Sequence, residues 1–462
     1  MRHPTPRLPL PDRRRLLAGS AVGFGWLAAR NLLAAGPTAG IDHGIRPRAR
    51  RVIFMFMKGG PSHIDTFDPK PKLTADDGKP FPAAKPRVQF AATGNLLKSP
   101  WRFRQHGACG SPVSELFPHV AHHVDRICFL HGVHGTNAAH GGAVLKLHTG
   151  SDTFVRPGMG AWVSYGMGTL SADLPAFITI CPTLAHGGAN NWGSAFLPAR
   201  HQGVPLGVAS RPATEARMKF IANPRWSAEV QREQLDLVRG LDGAAPAEPL
   251  LEARLESFEL AFRMQRTMPA VEDLSGETPE TLALYGLDDP VTANFGRQCL
   301  MARRFAEAGV RFIQVTHSDG KVQWDQHADL VAGHTEKAAE VDKPIAGLLT
   351  DLARRGLLDD TLVVWAGEFG RTPVAQGTNG RDHNPEGFTI WLAGGGARGG
   401  TRYGATDDYG YYAVDGRMSI HDVHATILHL LGIDHLRLTF RHGGRDFRLT
   451  DVAGQVHTAV VA

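Results

Sequence analysis

Two carboxylates, a histidine and two arginines gather in one short stretch of this chain: Glu368, Arg371, Arg381, Asp382 and His383, between the apolar runs TLVVW and TIWL. Glu368 and His383 are of the types that ligate a divalent metal, and Asp382 can bind directly or orient His383. Arg371 and Arg381 can clamp an oxyanion through paired N–H donors. Three other clusters have the same character. Asp65 follows Gly59 and Gly60, whose lack of a side chain allows close backbone approach. Asp325 and His327 stand two apart in a loop and suit the mixed nitrogen and oxygen set that zinc accepts. Thr136 and Asn137 precede an expected helix from Ala138, where free N–H groups hold an anion and ease the charge on an attacking hydroxyl. Thr136 is thus a candidate nucleophile and Asn137 an anion contact; the plainer alternative is that Thr136 caps the helix.

The elements that must position these groups alternate. Arg51–Met57 (RVIFMFM), Arg126–His131, Pro175–Cys181, 310–316, 361–366 and 388–393 read as strands, each a short apolar run broken by turn residues. Helices are expected over 138 onward, 248–268 (stopped by Pro269), 290–308 and 336–356, and from an N-cap at Ser419 to Leu431, with Gly432 as the stop. The segment 205–308 reads as a mostly helical insertion or cap. Strand and helix in alternation predict an α/β fold with a mainly parallel central sheet flanked by helices. In such sheets ligands sit beyond the carboxyl ends of the strands, which is where the polar clusters fall. The stretch 367–387 between two of the strands, rich in Gly, Pro and Asn, reads as a loop.

Charge narrows the partners. Six arginines (Arg2, Arg7, Arg13, Arg14, Arg15, Arg30) against Asp12 give residues 1–35 the whole net charge of +5, so the remainder is neutral and offers nucleic acid no electrostatic footprint. Arg13-Arg14-Arg15-Leu16-Leu17 before a modestly apolar stretch reads as a twin-arginine export signal, implying a periplasmic or extracellular protein. No other apolar run reaches the ~20 residues of a membrane span. Cys109, Cys128, Cys181 and Cys299 form no CxxC pair and are read as free thiols.

The chain resembles the bacterial DUF1501 family, which is related to the alkaline phosphatase/sulfatase superfamily. The resemblance rests on GGPSHIDTFDPKP (59–71), HTG (148–150), WDQH (324–327), GEFGRTP (367–373), GRDHNP (380–385) and HDVHATILHLLGID (421–434), and spans about 50–450. It implies one or two divalent metals, zinc first with calcium or magnesium as alternatives, and phosphate or sulfate esters as substrates. By position Asp65 resembles the first-strand ligand and Thr136 the nucleophile. Asp325 and His327 resemble one metal's ligands, and His383 the late histidine. Two departures stand out: where the superfamily has Asp-His, this chain has Glu368-Phe369, and phenylalanine cannot ligate. The site is therefore expected either to be rebuilt around Glu368, Asp382 and His383, or to have become a non-catalytic binding site for sulfated or phosphorylated glycans. His424 resembles a structural histidine rather than a ligand.

Overall fold

Side chains on a strand alternate between two faces, and on β1 (Arg51–Met57) both faces are apolar. Ile53, Met55 and Met57 enter one core cluster, and Val52, Phe54 and Phe56 the other. A strand buried on both sides belongs in the middle of a sheet covered by helices. The computed structural model describes residues 43–82, 93–219, 221–242, 249–318 and 323–462; the expected export signal lies outside them.

After β1 the principal elements are β2 (Thr93–Leu96), β3 (Ile127–His134), α1 (His140–Thr149), α2 (Met159–Met167), β4 (Phe177–Ile180), β5 (Val204–Leu206), α3 (Ala228–Asp242), α4 (Pro249–Glu272), α5 (Ala293–Glu307), β6 (Phe312–His317) and α6 (Leu330–Arg354). They continue with β7 (Thr361–Ala366), β8 (Gly370–Gln376), β9 (Gly380–Asn384), β10 (Phe388–Ala393), β11 (Thr401–Tyr403), β12 (Met418–Ser419) and α7 (Ile420–Leu430). Among the described residues nine strands form the main sheet in the order β11-β3-β10-β7-β1-β6-β4-β5, with β12 also on β3. β10 alone runs against its neighbours; the other pairings are parallel. The α/β class with a mainly parallel sheet is what the sequence predicts.

Helices α5 and α6 cover one face, burying Phe295, Cys299, Leu300, Val341, Ile345 and Leu348 against Ile53, Ile313 and Val363. The other face takes α1, α2 and α7, with Val144, Leu147, Trp162, Ile427 and Leu428 against Phe54, Phe56 and Val364. Each such side chain contributes about 1.5–3 kcal/mol through burial. The segment 205–308 holds α3, α4 and α5, of which α5 belongs to this main core. All four cysteines are free thiols. Among the described residues no helix is long and apolar enough to cross a membrane.

Several boundaries differ from the sequence reading. The helix after β3 begins at His140, because the chain is extended at Ala139 and Asn137 Oδ1 takes the Ala139 N–H at 2.8 Å. Pro269 does not stop α4, which continues to Glu272; the proline lies in the last turn, so little ladder remains to be lost. Helix α6 starts earlier than expected and runs through Pro344. The largest difference is the stretch expected as a loop between β7 and β10. It forms an antiparallel hairpin, β8–β9, with Arg371 opposite His383, and β8 also pairs with β2. Its side chains Arg371, Thr372, Arg381, Asp382, His383 and Asn384 are buried. A strand whose interior side chains are polar has no apolar alternation to announce it.

Candidate metal centre

Parallel strands bring their carboxyl ends to one edge of the sheet. There β1 runs into Gly59, β3 into the turn before His140, β6 into the loop of Asp325 and His327, and β7 into Glu368. The hairpin β8–β9 adds His383 and Arg371. Three imidazoles converge on one carboxylate. His383 Nε2 and His327 Nε2 each lie 3.0 Å from Asp325 Oδ1, and His140 Nε2 lies 3.1 Å from Asp325 Oδ2.

The opposite nitrogen of each ring is anchored. His140 Nδ1 lies 2.7 Å from Glu368 Oε1, His383 Nδ1 lies 2.6 Å from the Ala138 carbonyl, and His327 Nδ1 meets Gln376 Oε1. Carboxylate and carbonyl oxygens only accept, so the Nδ1 atoms carry the hydrogens and the Nε2 atoms face Asp325. Glu368 is fixed in turn by the Gly59 N–H at 2.9 Å. A histidine whose far nitrogen is tied to a carboxylate or carbonyl is the arrangement that orients metal ligands.

The donor set fits a divalent ion. The ligand atoms of His140, Asp325 and His383 lie within 4.8 Å of one another, as do those of His327, Asp382 and His383. His140 Nε2 is buried beside Asp325 yet makes no hydrogen bond there, and Asp382 Oδ2 is buried and unpaired. Nitrogens and oxygens about 3.3 Å apart are what tetrahedral zinc bonds of ~2.0 Å require along the edges. The set therefore suits zinc better than calcium, which takes oxygens.

Electrostatics agree. Burial works against charge on Asp325, but the close imidazoles of His140, His327 and His383, with the Arg371 charge, hold its carboxyl far below the ordinary range. Burial likewise opposes charge on His140, yet Asp325 and Glu368 raise its pKa; for His327 the Asp325 hydrogen bond is the leading cause of a rise. Burial, together with Arg371, lowers His383 despite its bond to Asp325. Phe369, beside Glu368, stacks on His383 at 4.4 Å and packs against His140 at 4.9 Å between ring centroids. It supports the imidazoles instead of ligating.

Of the residues singled out from sequence, Asp325, His327, Asp382 and His383 come together, and Glu368 stands one layer behind His140. The others sit elsewhere. The Asp65 carboxylate receives Arg381 Nε at 2.7 Å and Ser62 Oγ at 2.5 Å, with Asp65 and Arg381 fully buried. Arg381 also donates to the carbonyls of Thr372 and Leu97. Arg371 donates to the carbonyls of Gly60, Arg381 and Gly59 and to Asp325 Oδ1 at 2.6 Å. Both guanidinium groups are committed internally, which corrects the expectation that they clamp a substrate: Arg371 positions Asp325, and Arg381 neutralises Asp65. Thr136 is exposed, its hydroxyl donating to Asp152 Oδ2 at 3.3 Å, while Asn137 is turned to Ala139.

His140 is the candidate ligand that sequence reasoning passed over. A signal was present: on a helix it shares a face with Val144 and His148, and Asp325 with His327 needs further nitrogens to complete a zinc set.

Comparison with curated protein sequences returns no match. Among solved structures the chain is similar to the lipoteichoic acid synthase LtaP from Listeria monocytogenes (10% identity, TM-score 0.38), covering 92% of this chain and 80% of that one. It is also similar to the PsFucS1 sulfatase from Pseudoalteromonas sp. (12%, TM-score 0.35, 92% and 72%). A third is the phosphonate monoester hydrolase of Agrobacterium radiobacter (10%, TM-score 0.37, 83% and 74%). The model of the family described as "Protein of unknown function (DUF1501)" matches residues 49–461, and the chain belongs to that family.

Proposed function

We propose that the protein is a metal-dependent hydrolase of phosphate or sulfate esters, exported by its twin-arginine segment. The observation that carries this reading is the convergence of three imidazole Nε2 atoms on Asp325, each ring tied down at Nδ1. His140, Asp325 and His383 would hold the ion, with His327 and Asp382 beside them. A divalent ion supplies Lewis acidity toward a phosphoryl or sulfuryl oxygen. Arg371 and Glu368 keep Asp325 and His140 in place, and Phe369 shields the ring faces from water. Thr136 supplies the attacking oxygen: its hydroxyl is exposed on the turn leading into His140, and Asp152 is placed to accept its proton.

The test is elemental analysis of the purified full chain followed by turnover of an aryl phosphate and an aryl sulfate. Absence of metal, with no turnover after reconstitution with zinc, rejects the reading. Full activity in Thr136→Ala removes the nucleophile and leaves the hydrolase. Replacing Arg13, Arg14 and Arg15 with lysine should trap the protein inside the cell; unchanged export would reject the targeting.

A second reading is favoured by Phe369, an apolar ring at 4.4 Å from His383 where a ligand would complete a second ion's set. The protein would then bind phosphorylated or sulfated glycans without cleaving them. Metal retained, ester bound and no turnover is the result that selects it.

A further inference from the structure

The C-terminal end of α1 borders a cleft of about 230 Å³, lined by Gly150, Arg156, Trp162, Arg448 and Asp451 among others. Pockets that enclose a whole drug-sized ligand begin at ~300 Å³, so this one suits a single group of a larger molecule. Arg156 lies over the Phe447 ring at 4.3 Å and the Phe154 ring at 5.6 Å from their centroids, within cation–π range. Stacking occupies the flat face of a guanidinium and leaves its N–H edge free. That edge has no hydrogen-bond or ion-pair partner among the described residues.

Phe447 carries a second cation, Arg445, at 4.8 Å, and is itself packed on Phe196 at 4.9 Å. Arg445 donates to Asp451 Oδ1, and Arg448 donates through Nε to the Asp451 carbonyl. The other N–H groups of Arg448 make no bond among the described residues. Three guanidinium groups thus gather around one carboxylate. Like charges so placed repel, and an oxyanion relieves them while taking the paired N–H donors. On the same loop Phe154 and Val155 are 65% and 59% exposed, apolar surface that the C–H face of a sugar ring would cover.

The cleft stands apart from the metal centre but is joined to it twice. Helix α1 carries His140 at its other end, and its ten residues at about 1.5 Å each make a span of ~15 Å. The loop after α1 starts back: Asp152 accepts from Thr136, and Arg156 follows four residues later.

We propose that this cleft binds a sulfate or phosphate group of an anionic glycan whose reacting ester lies at the metal centre, the two groups on the order of 15 Å apart. The reach to the metal centre rests on the ester reading; the oxyanion site at Arg156 and Arg448 does not.

The experiment has two arms, both on the full chain. In the first, arginines are modified with phenylglyoxal and mapped by peptide mass, with and without sodium sulfate or sodium phosphate. One of the anions should protect Arg156 and Arg448 and leave Arg266, whose side chain is 87% exposed, unprotected. In the second, calorimetry compares a monosulfated sugar with an oligo-dextran sulfate, and a sugar monophosphate with a phosphorylated dextran oligomer. The oligomer of one class should bind about tenfold or more tightly than its monomer. Arg156→Met and Arg448→Met should each abolish that gain at unchanged metal content. Arg156→Lys should restore little of it, since an ammonium offers no paired donors. Absence of protection by either anion overturns the site, and because it is read on the wild type it decides even where a variant folds poorly. An oligomer gain that survives both substitutions overturns it as well, and protection without any gain overturns the shared ligand. If neither ester is turned over while protection and the Arg156-dependent gain persist, the hydrolase reading fails and the cleft stands.

Discussion

Arg381 donates to Asp65 at 2.7 Å with both side chains completely shielded from water. Burial alone would raise the Asp65 pKa, but the Arg381 charge and hydrogen bond bring it below the ordinary carboxylate value. Removing one partner strands the other charge, which costs about 3–5 kcal/mol. Asp65→Asn and Arg381→Met should each lose stability on that scale in urea unfolding. Either variant within about 0.5 kcal/mol of wild type would show that the pair is dispensable.

Glu368 should act on the metal through His140. The Glu368→Gln variant keeps an oxygen near His140 Nδ1 but removes its charge, and the ring becomes a weaker donor toward the ion. Outer partners of this kind are worth about 10–100-fold in metal affinity. Competition with a chromophoric zinc chelator measures the change; an unaltered affinity would sink the role given to Glu368.

Gly59 is irreplaceable on two counts. Its φ is +109°, and a Cβ there would stand 2.7 Å from Trp324 N and 2.9 Å from Asp325 N. Gly59→Ala should push the Asp325 loop outward, costing about 1–3 kcal/mol and most of the bound metal. A variant that melts and binds zinc like wild type would contradict the placement of the loop.

Acid should unfold the protein steeply. Burial lowers His131 and His148 to about 4 and His424 to about 3. These folded values are depressed, so the unfolded chain binds the extra protons below its own pKa of about 6.5. The stabilisation is full above that pH and is lost as pH falls toward 4. Three such groups give a slope of up to about 4 kcal/mol per pH unit. Urea midpoints measured between pH 7 and 4.5 should fall accordingly, and a flat profile would reject the neutral buried state.

The parts of the fold that bury apolar side chains were legible from the chain. β1, β7 and β10 are apolar runs, and α7 begins at Ser419 with a full capping box to Asp422. The hairpin β8–β9 was not, because its buried positions carry Arg371, Arg381, Asp382 and His383, which pattern cannot distinguish from a solvated loop. The same chemistry hid the roles within the centre. Asp325 and His327 could be read as candidate ligands from type and spacing, and the fold brings them together. Whether an arginine faces substrate or a buried carboxylate depends on contacts hundreds of residues away, such as Asp65 with Arg381, 316 positions apart. His140 was obscured by the neighbouring hydroxyl of Thr136, which drew the reading toward nucleophile chemistry.

That separation in sequence bears on the order in which the molecule is assembled. His140 and Glu368 are 228 residues apart, and Asp325 and His383 are 58 apart. Asp325 with His327 and Asp382 with His383 are close in the unfolded chain, but joining these pairs to each other and to His140 requires closing long loops, which is entropically unfavourable. The ion cannot nucleate folding as it does in a small zinc-stapled module; the sheet must register first and the ion arrives last. Stripping it with a chelator should leave an intact, reloadable shell, so metal choice is made by whichever compartment the finished protein meets first.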